Sequence, residues 1–320
     1  MPARTPVYFI SHGGPNVMEE TSHPAYAQLQ EFGREITQKV KPKAIIVISA
    51  HWQATTPLNT VSPRPLAHPN NSSPTARTMQ ISLPSTTVPP PLIYDFAGFP
   101  PHYYRKTFPH RTSPQLAERI LQAFVSSSAD GSHVEAVPDR GLDHGVWAPF
   151  SCMFDPAGTN PLGEEVPIVQ VSLLGDESEE EEEGEGHFRV GEVLRRFREE
   201  GCVVIGSGMA VHNLRDLWSA MAMSRRMGEE EGVTRPLGYT SAFDEALREA
   251  VEGSSGEERR KRMLALLKRG DLRQAHPSLE HLLPMFVAAG AAGEDEMGKR
   301  LWTLGEGSLS WAQFRFGELN

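Results

Sequence analysis

Four short apolar runs constrain this chain more than any other feature. Residues 7–10, 44–49, 166–173 and 202–205 are rich in β-branched side chains and almost continuously hydrophobic. A strand with one wet face alternates apolar with polar residues, whereas an unbroken apolar run belongs to a sheet covered on both sides. The stretches between the runs carry helical spacing. Residues 25–40 place Leu29, Phe32 and Ile36 on one face. Residues 113–126 open at Ser113-Pro114 and align Leu116, Ile120 and Phe124. Residues 190–200 align Val190, Val193, Leu194 and Phe197, then stop at Gly201. Strand and helix in alternation predict an α/β fold with a largely parallel sheet.

No composition shift divides the 320 residues, so one domain over 1–320 is expected, with three insertions. Residues 59–91, rich in Pro, Ser, Thr and Asn, read as a long loop with some extended structure. Residues 176–186 read as a solvated acidic loop. Residues 221–238 read as charged and partly helical. The net charge of −10 excludes a nucleic acid or an anionic membrane as the natural partner, since either would call for a basic face. Two cysteines, Cys152 and Cys202, form no disulfide framework. With no secretory leader and no apolar stretch near the ~18 residues that span a bilayer, a cytoplasmic protein is expected. Oligomeric state is not legible.

Histidines carry the chemical signal. His12 follows the first apolar run, His51 the second, and His212 comes shortly after the fourth, in GSGMAVHNL. Carboxyl ends of strands are where open α/β sheets bind ligands. His144 lies in RGLDHGVW, a tight turn with Asp143 beside it. His281 lies in HPSLEHLLP, where Ser278 is expected to cap a short helix presenting Glu280 and His281. Imidazole is both the commonest metal ligand and the usual proton carrier near neutrality. A histidine beside a turn is more often structural, so strand-end placement is what raises His12 and His51 above the others. His23, His68, His102, His110, His133 and His187 read as solvent-facing, and His276 as intermediate. The two cysteines read as packing residues. GSG lacks the rest of a dinucleotide fingerprint, and Ser207 is in no nucleophile elbow.

These residues sit in motifs that resemble a known family. FISHG (9–13), ISAHW (48–52), YDFAGFP (94–100), GLDHGVW (141–147), PIVQVS (167–172), GSG through HNLR (206–215) and HP through EHLLP (276–284) occur in that order, and GSLS (307–310) is similar too. Together they resemble the class III extradiol ring-cleavage dioxygenases with a LigB-like catalytic domain, in the 4,5-DOPA dioxygenase-like branch.

The resemblance implies a single α/β domain of phosphorylase/hydrolase-like architecture, a mixed central sheet flanked by helices, and one mononuclear divalent metal. His12, His51 and His281 correspond to metal positions. His212 corresponds to a catalytic base or, with zinc, a fourth ligand. His144 corresponds to an active-site histidine contacting substrate or dioxygen, its tautomer set by Asp143 or a backbone carbonyl. Asp95, Phe96, Phe99 and Trp52 are expected in the substrate pocket, although a packed Gly-Phe-Pro turn explains the phenylalanines equally well. The implied reaction uses Fe(II) and O2 to open a DOPA-like catechol beside its diol, giving a muconic semialdehyde-type product. The alternatives are a zinc-bound member with hydrolytic or no activity, and a non-enzymatic binding module like the MEMO family. Protocatechuate-type enzymes use a carboxylate as third ligand. Here the matching segment offers His281, with Glu280 next to it.

Overall fold

The computed structural model describes residues 4–54, 77–127, 133–154, 160–162, 165–175, 179–226 and 234–319. Among the described residues eleven strands occur: β1 (Val7–Ser11), β2 (Ala44–Gln53), β3 (Thr78–Leu83), β4 (His133–Pro138), β5 (Ile168–Leu173), β6 (Cys202–Gly208), β7 (Val211–His212), β8 (Gly298–Trp302), β9 (Gly305–Glu306), β10 (Leu309–Ser310) and β11 (Gln313–Phe316). The α-helices are α1 (Pro24–Arg34), α2 (Pro114–Ser127), α3 (His144–Met153), α4 (Glu180–Arg198), α5 (Leu214–Arg226), α6 (Gly238–Glu252), α7 (Gly256–Leu266), α8 (Leu272–Ala275) and α9 (Leu283–Ala291).

Eight strands form one sheet in the order β4-β3-β5-β2-β6-β1-β11-β8. All four apolar runs are strands, and they are neighbours: β5, β2, β6 and β1 pair in parallel at the centre. The sheet is mixed because β3 meets β5, β11 meets β1, and β8 meets β11 antiparallel. Successive residues of the central strands feed opposite cores. Val7, Phe9, Ile46, Ile48 and Val204 pack with Ile120, Phe188, Phe243 and Phe286 from α2, α4, α6 and α9. Tyr8, Ile10, Ile45, Val47 and Ile205 pack with Leu29, Phe32, Trp147 and Phe150 from α1 and α3. That is why these runs read as continuously apolar: both faces are dry. Three short strands, in the order β7-β10-β9, make a second, antiparallel sheet holding His212 opposite Leu309.

Several expectations need correction. Of the supposed acidic loop at 176–186, residues 180–186 are the first turns of α4. Carboxylates at a helix N-terminus meet the positive end of the helix dipole. They also find cations: Glu180 pairs with Arg273, Glu181 with Lys268 at 2.8 Å, and Glu185 with Arg260. Gly184, His187, Phe188 and Gly191 form the buried face of that helix, at helical spacing. His187 is therefore not solvent-facing: fully buried, it accepts the Leu174 N–H at Nε2, 3.0 Å away. By contrast, the extended structure expected within 59–91 is present as β3, an internal strand of the sheet. Residues 59–76, with His68, and residues 227–233 of the third insertion lie outside the described residues. Within that insertion the helical part is the end of α5. Ser278 caps no helix; residues 277–282 are bends and turns, and its hydroxyl donates to Glu280 Oε1 at 3.0 Å. His23 is not free in solvent either, because it caps α1 by accepting the Ala25 N–H at 3.2 Å. His110 is only half-buried, stacked on Phe108. Among the described residues no helix is long and apolar enough to cross a membrane.

Candidate metal centre

β1 and β2 run parallel on either side of β6, so their carboxyl ends emerge at the same edge. His12 leaves β1 there, and its backbone N–H continues the ladder to Gly208 O at 2.9 Å. Gly13 follows at φ +63°, where a Cβ would strike the Trp311 ring, so the chain turns away directly after the histidine. His51 lies near the end of β2. His144 opens α3, and His281 sits in the turn before α9. His212 projects from β7, its ring stacked on His281 with centroids 3.6 Å apart and planes 14° apart.

Segments far apart in the chain thus bring five imidazoles together. The His12 and His51 centroids are 5.1 Å apart, His12 and His281 5.4 Å, His51 and His281 5.1 Å, and His51 and His144 3.9 Å. One ligand atom each from His12, His51 and His281 falls within 4.8 Å of the other two. His51, Asp95 and His144 form a second such group, and His212, Glu280 and His281 a third.

Partners on the outer edges of the rings decide what the inner edges offer. Ser207 Oγ donates its single proton to Gly145 O at 2.5 Å, so at His12 Nδ1, 3.0 Å away, it must accept. His12 therefore carries its proton on Nδ1 and a bare lone pair on Nε2. His281 Nδ1 faces Glu280 Oε1 at 3.0 Å, and His51 Nδ1 faces Asp95 Oδ2 at 3.1 Å. A carboxylate there favours N–H on Nδ1 in both. His51 Nε2 and His12 Nε2 then confront each other at 3.2 Å. Two lone pairs at that distance repel unless a proton or a cation lies between them. The donor set fits a borderline divalent ion.

Electrostatics point the same way. Burial, and after it the neighbouring imidazoles, pushes His12, His212 and His281 far below the ordinary histidine range, so all three are neutral donors at pH 7. Burial alone would raise the Asp95 carboxyl, but the contacts from His144 and His51 outweigh it, and the group ionises far below its usual range. Room for the rings comes from Gly145, where a Cβ would lie 2.5 Å from Ser49 Oγ, 2.7 Å from His51 Cδ2 and 3.2 Å from His12 Cε1.

The other expected site residues are more scattered. Phe96 stands edge-on to His144 with centroids 5.5 Å apart, and Phe99 packs on Phe96 at 5.2 Å. The aromatic wall therefore begins at the cluster. Trp52 reaches elsewhere: its Nε1 donates to Gln80 at 3.2 Å, and the Arg140 guanidinium lies 4.0 Å from its ring. Asp143 does not contact the His144 ring. It is fully buried, accepting from Ser49 at 2.7 Å, Gln170 at 2.5 Å and Arg140 at 3.1 Å. The carboxylate at His144 is Asp95, whose Oδ1 lies 3.0 Å from both the ring Nδ1 and the backbone N–H. Of these two, the backbone N–H makes the aligned hydrogen bond; the ring sits at pairing distance but off the line. Ser207 was missed as a histidine partner because the sequence showed it only as a serine outside any nucleophile motif. Gly145, directly after His144, was a readable signal of crowding.

Residues 6–308 match the family described as the catalytic LigB subunit of aromatic ring-opening dioxygenase. The chain belongs to the LigB family. This LigB-family protein is 30% identical over 310 residues to a 4,5-DOPA dioxygenase extradiol of Beta vulgaris, covering 97% of this chain and 95% of the relative. It is 26% identical to the Escherichia coli protein of the same name, over 98% of this chain and 95% of that one. A solved structure of an uncharacterized Escherichia coli K12 protein superposes with a TM-score of 0.66 at 24% identity, covering 98% of this chain and all of the other, and so shares its fold. The family is one of metal-dependent, extradiol-type dioxygenases, whose substrates are small aromatic molecules and O2.

Proposed function

We propose that this chain is an extradiol dioxygenase that opens a DOPA-like catechol, with the metal held by His12, His51 and His281 and the product a muconic semialdehyde. The observation that carries the reading is the 3.2 Å confrontation of His12 Nε2 and His51 Nε2, beside His281 at ligand spacing. Three imidazole nitrogen donors, each with its outer nitrogen facing a partner, make a centre with coordination positions to spare for a bidentate guest. Ferrous iron bound there would supply the electron exchange between catechol and dioxygen; zinc would fit the same donors without redox chemistry.

The remaining side chains divide the work. His212, neutral and stacked beside His281, is available as the base for a phenolic proton. With Nδ1 turned to Asp95, His144 presents Nε2 as the nitrogen that holds or delivers a proton at the reacting side. Phe96 and Phe99 offer flat apolar contact to an aromatic ring. The names of the Beta vulgaris and Escherichia coli relatives support the choice of a DOPA-like substrate. The single-domain layout over 1–320 is part of the same proposal.

Anaerobic reconstitution with Fe(II), followed by air and a panel of catechols, tests the reading. Oxygen uptake together with a yellow product is expected. Tight zinc binding with no turnover of any catechol would rule it out and favour a closed or non-catalytic site.

A further inference from the structure

Asp95, placed in the pocket wall by the sequence reading, has a more specific setting. The backbone around it is tied down on both sides. The Ile93 N–H donates to Leu142 O at 2.8 Å, Trp147 Nε1 donates to Ile93 O at 2.9 Å, and Tyr94 Oη donates to Lys106 O at 2.7 Å. Its carboxylate then divides between two rings. Oδ2 lies 3.1 Å from His51 Nδ1, and Oδ1 lies 3.0 Å from His144 Nδ1 while accepting the His144 backbone N–H at 3.0 Å. The two rings are neighbours themselves, 3.9 Å between centroids.

We propose that Asp95 is a positioning residue shared by His51 and His144, its negative charge at pairing distance from both Nδ1 atoms favouring the proton there and hence deciding the nitrogen each ring turns to the centre. This rests on the reading of the cluster as a metal site. A direct ligand role for Asp95 fits less well, because His51 meets Asp95 with Nδ1 and His12 with Nε2. Those nitrogens are on opposite sides of the imidazole, so an ion between His12 and His51 lies across the ring from the carboxylate. The consequence is a coupling: the ring that holds the ion and the ring that handles the proton lean on the same anion. Disturbing Asp95 disturbs both.

Asp95→Asn is the informative variant. It keeps the shape but replaces one acceptor oxygen with an NH2, which cannot face an Nδ1–H. One ring must then move its proton to Nε2, the edge that faces the centre. Long-range 1H–15N spectra of the metal-free protein read this directly. Wild type is expected to show Nδ1–H tautomers for His51 and His144, and the variant at least one Nε2–H ring. Zinc affinity, measured by chelator competition, is expected to fall by ~10–100-fold, the usual cost of losing an outer partner of a ligand. Asp95→Ser, with one small acceptor, gives a second variant should the first fail to fold. Either folded variant that keeps both Nδ1–H tautomers and wild-type zinc affinity would overturn the proposal. So would a changed coordination number in the cobalt-loaded variant, which would make Asp95 a ligand. Wild-type protein that binds zinc yet turns over no catechol would end the dioxygenase reading and leave this one standing.

Discussion

His12 and His51 stand at the ends of long central strands, whereas His212 sits on the two-residue strand β7 and His281 on a turn. The strand-borne pair gains its rigidity from the sheet itself: β6 pairs with both β1 and β2, and Ser207 from β6 reaches the His12 ring. The second pair has no long ladder beneath it. Instead two irregular segments are laced together. Met209 N–H donates to His281 O at 2.9 Å, His276 Nε2 bonds Ala210 O at 3.0 Å, and Asn213 Nδ2 donates to Gln274 O at 2.8 Å. Rigid elements hold a ligand to a fixed place, while a laced turn can be tuned locally. A centre proposed to hold an ion and also move protons has a use for both kinds of support.

Substitutions should separate the two halves. His51→Ala removes a proposed ligand from the rigid half, and zinc affinity should fall by far more than the ~10–100-fold cost of an outer partner; chelator competition checks this. His212→Ala, in the laced half, should leave most of the metal bound while turnover of any accepted catechol falls by ~10²–10⁴-fold, the usual worth of a general base. Equal loss of metal would make His212 a ligand and erase the distinction. Ser207→Ala frees the His12 proton to settle on either nitrogen, and zinc affinity should drop ~10–100-fold without loss of fold.

The smallest effect belongs to the lacing. His276→Gln keeps a donor near Nε2 and should cost no more than His276→Leu, which loses one net hydrogen bond of ~0.5–1.5 kcal/mol; thermal unfolding at pH 7 measures both. Acid supplies a sign test. Burial pushes the folded His276 down to about 4, while the unfolded ring titrates near its ordinary value of 6.5. As pH falls from 6.5 toward 4 the unfolded chain binds the proton first, so wild type loses stability in that window, at up to about 1.4 kcal/mol per pH unit for one such group. His276→Gln lacks this contribution, and its deficit relative to wild type should shrink as the pH drops.

What was legible in the sequence followed from burial. Strands dry on both faces advertise themselves, so the parallel centre and the strand-end positions of His12 and His51 could be read before any coordinates. Patterns that mix polar and buried roles were misread. The glutamates of α4 look like a solvated loop because their charges dominate the text, yet the glycines and His187 among them mark a packed helix face. Asp143, adjacent to His144 in sequence, seemed its natural partner, but the carboxylate that reaches the ring comes from Asp95, 49 residues away.

The chain by itself determined that a doubly covered sheet would form and that two histidines would stand at its binding edge, because hydrophobic periodicity is a local property of the text. Only the tertiary structure decided which nitrogen of each ring faces the centre. That choice depends on hydrogen-bond partners such as Ser207, Glu280 and Asp95, and, for His12 and His51, folding delivers them from other strands and loops.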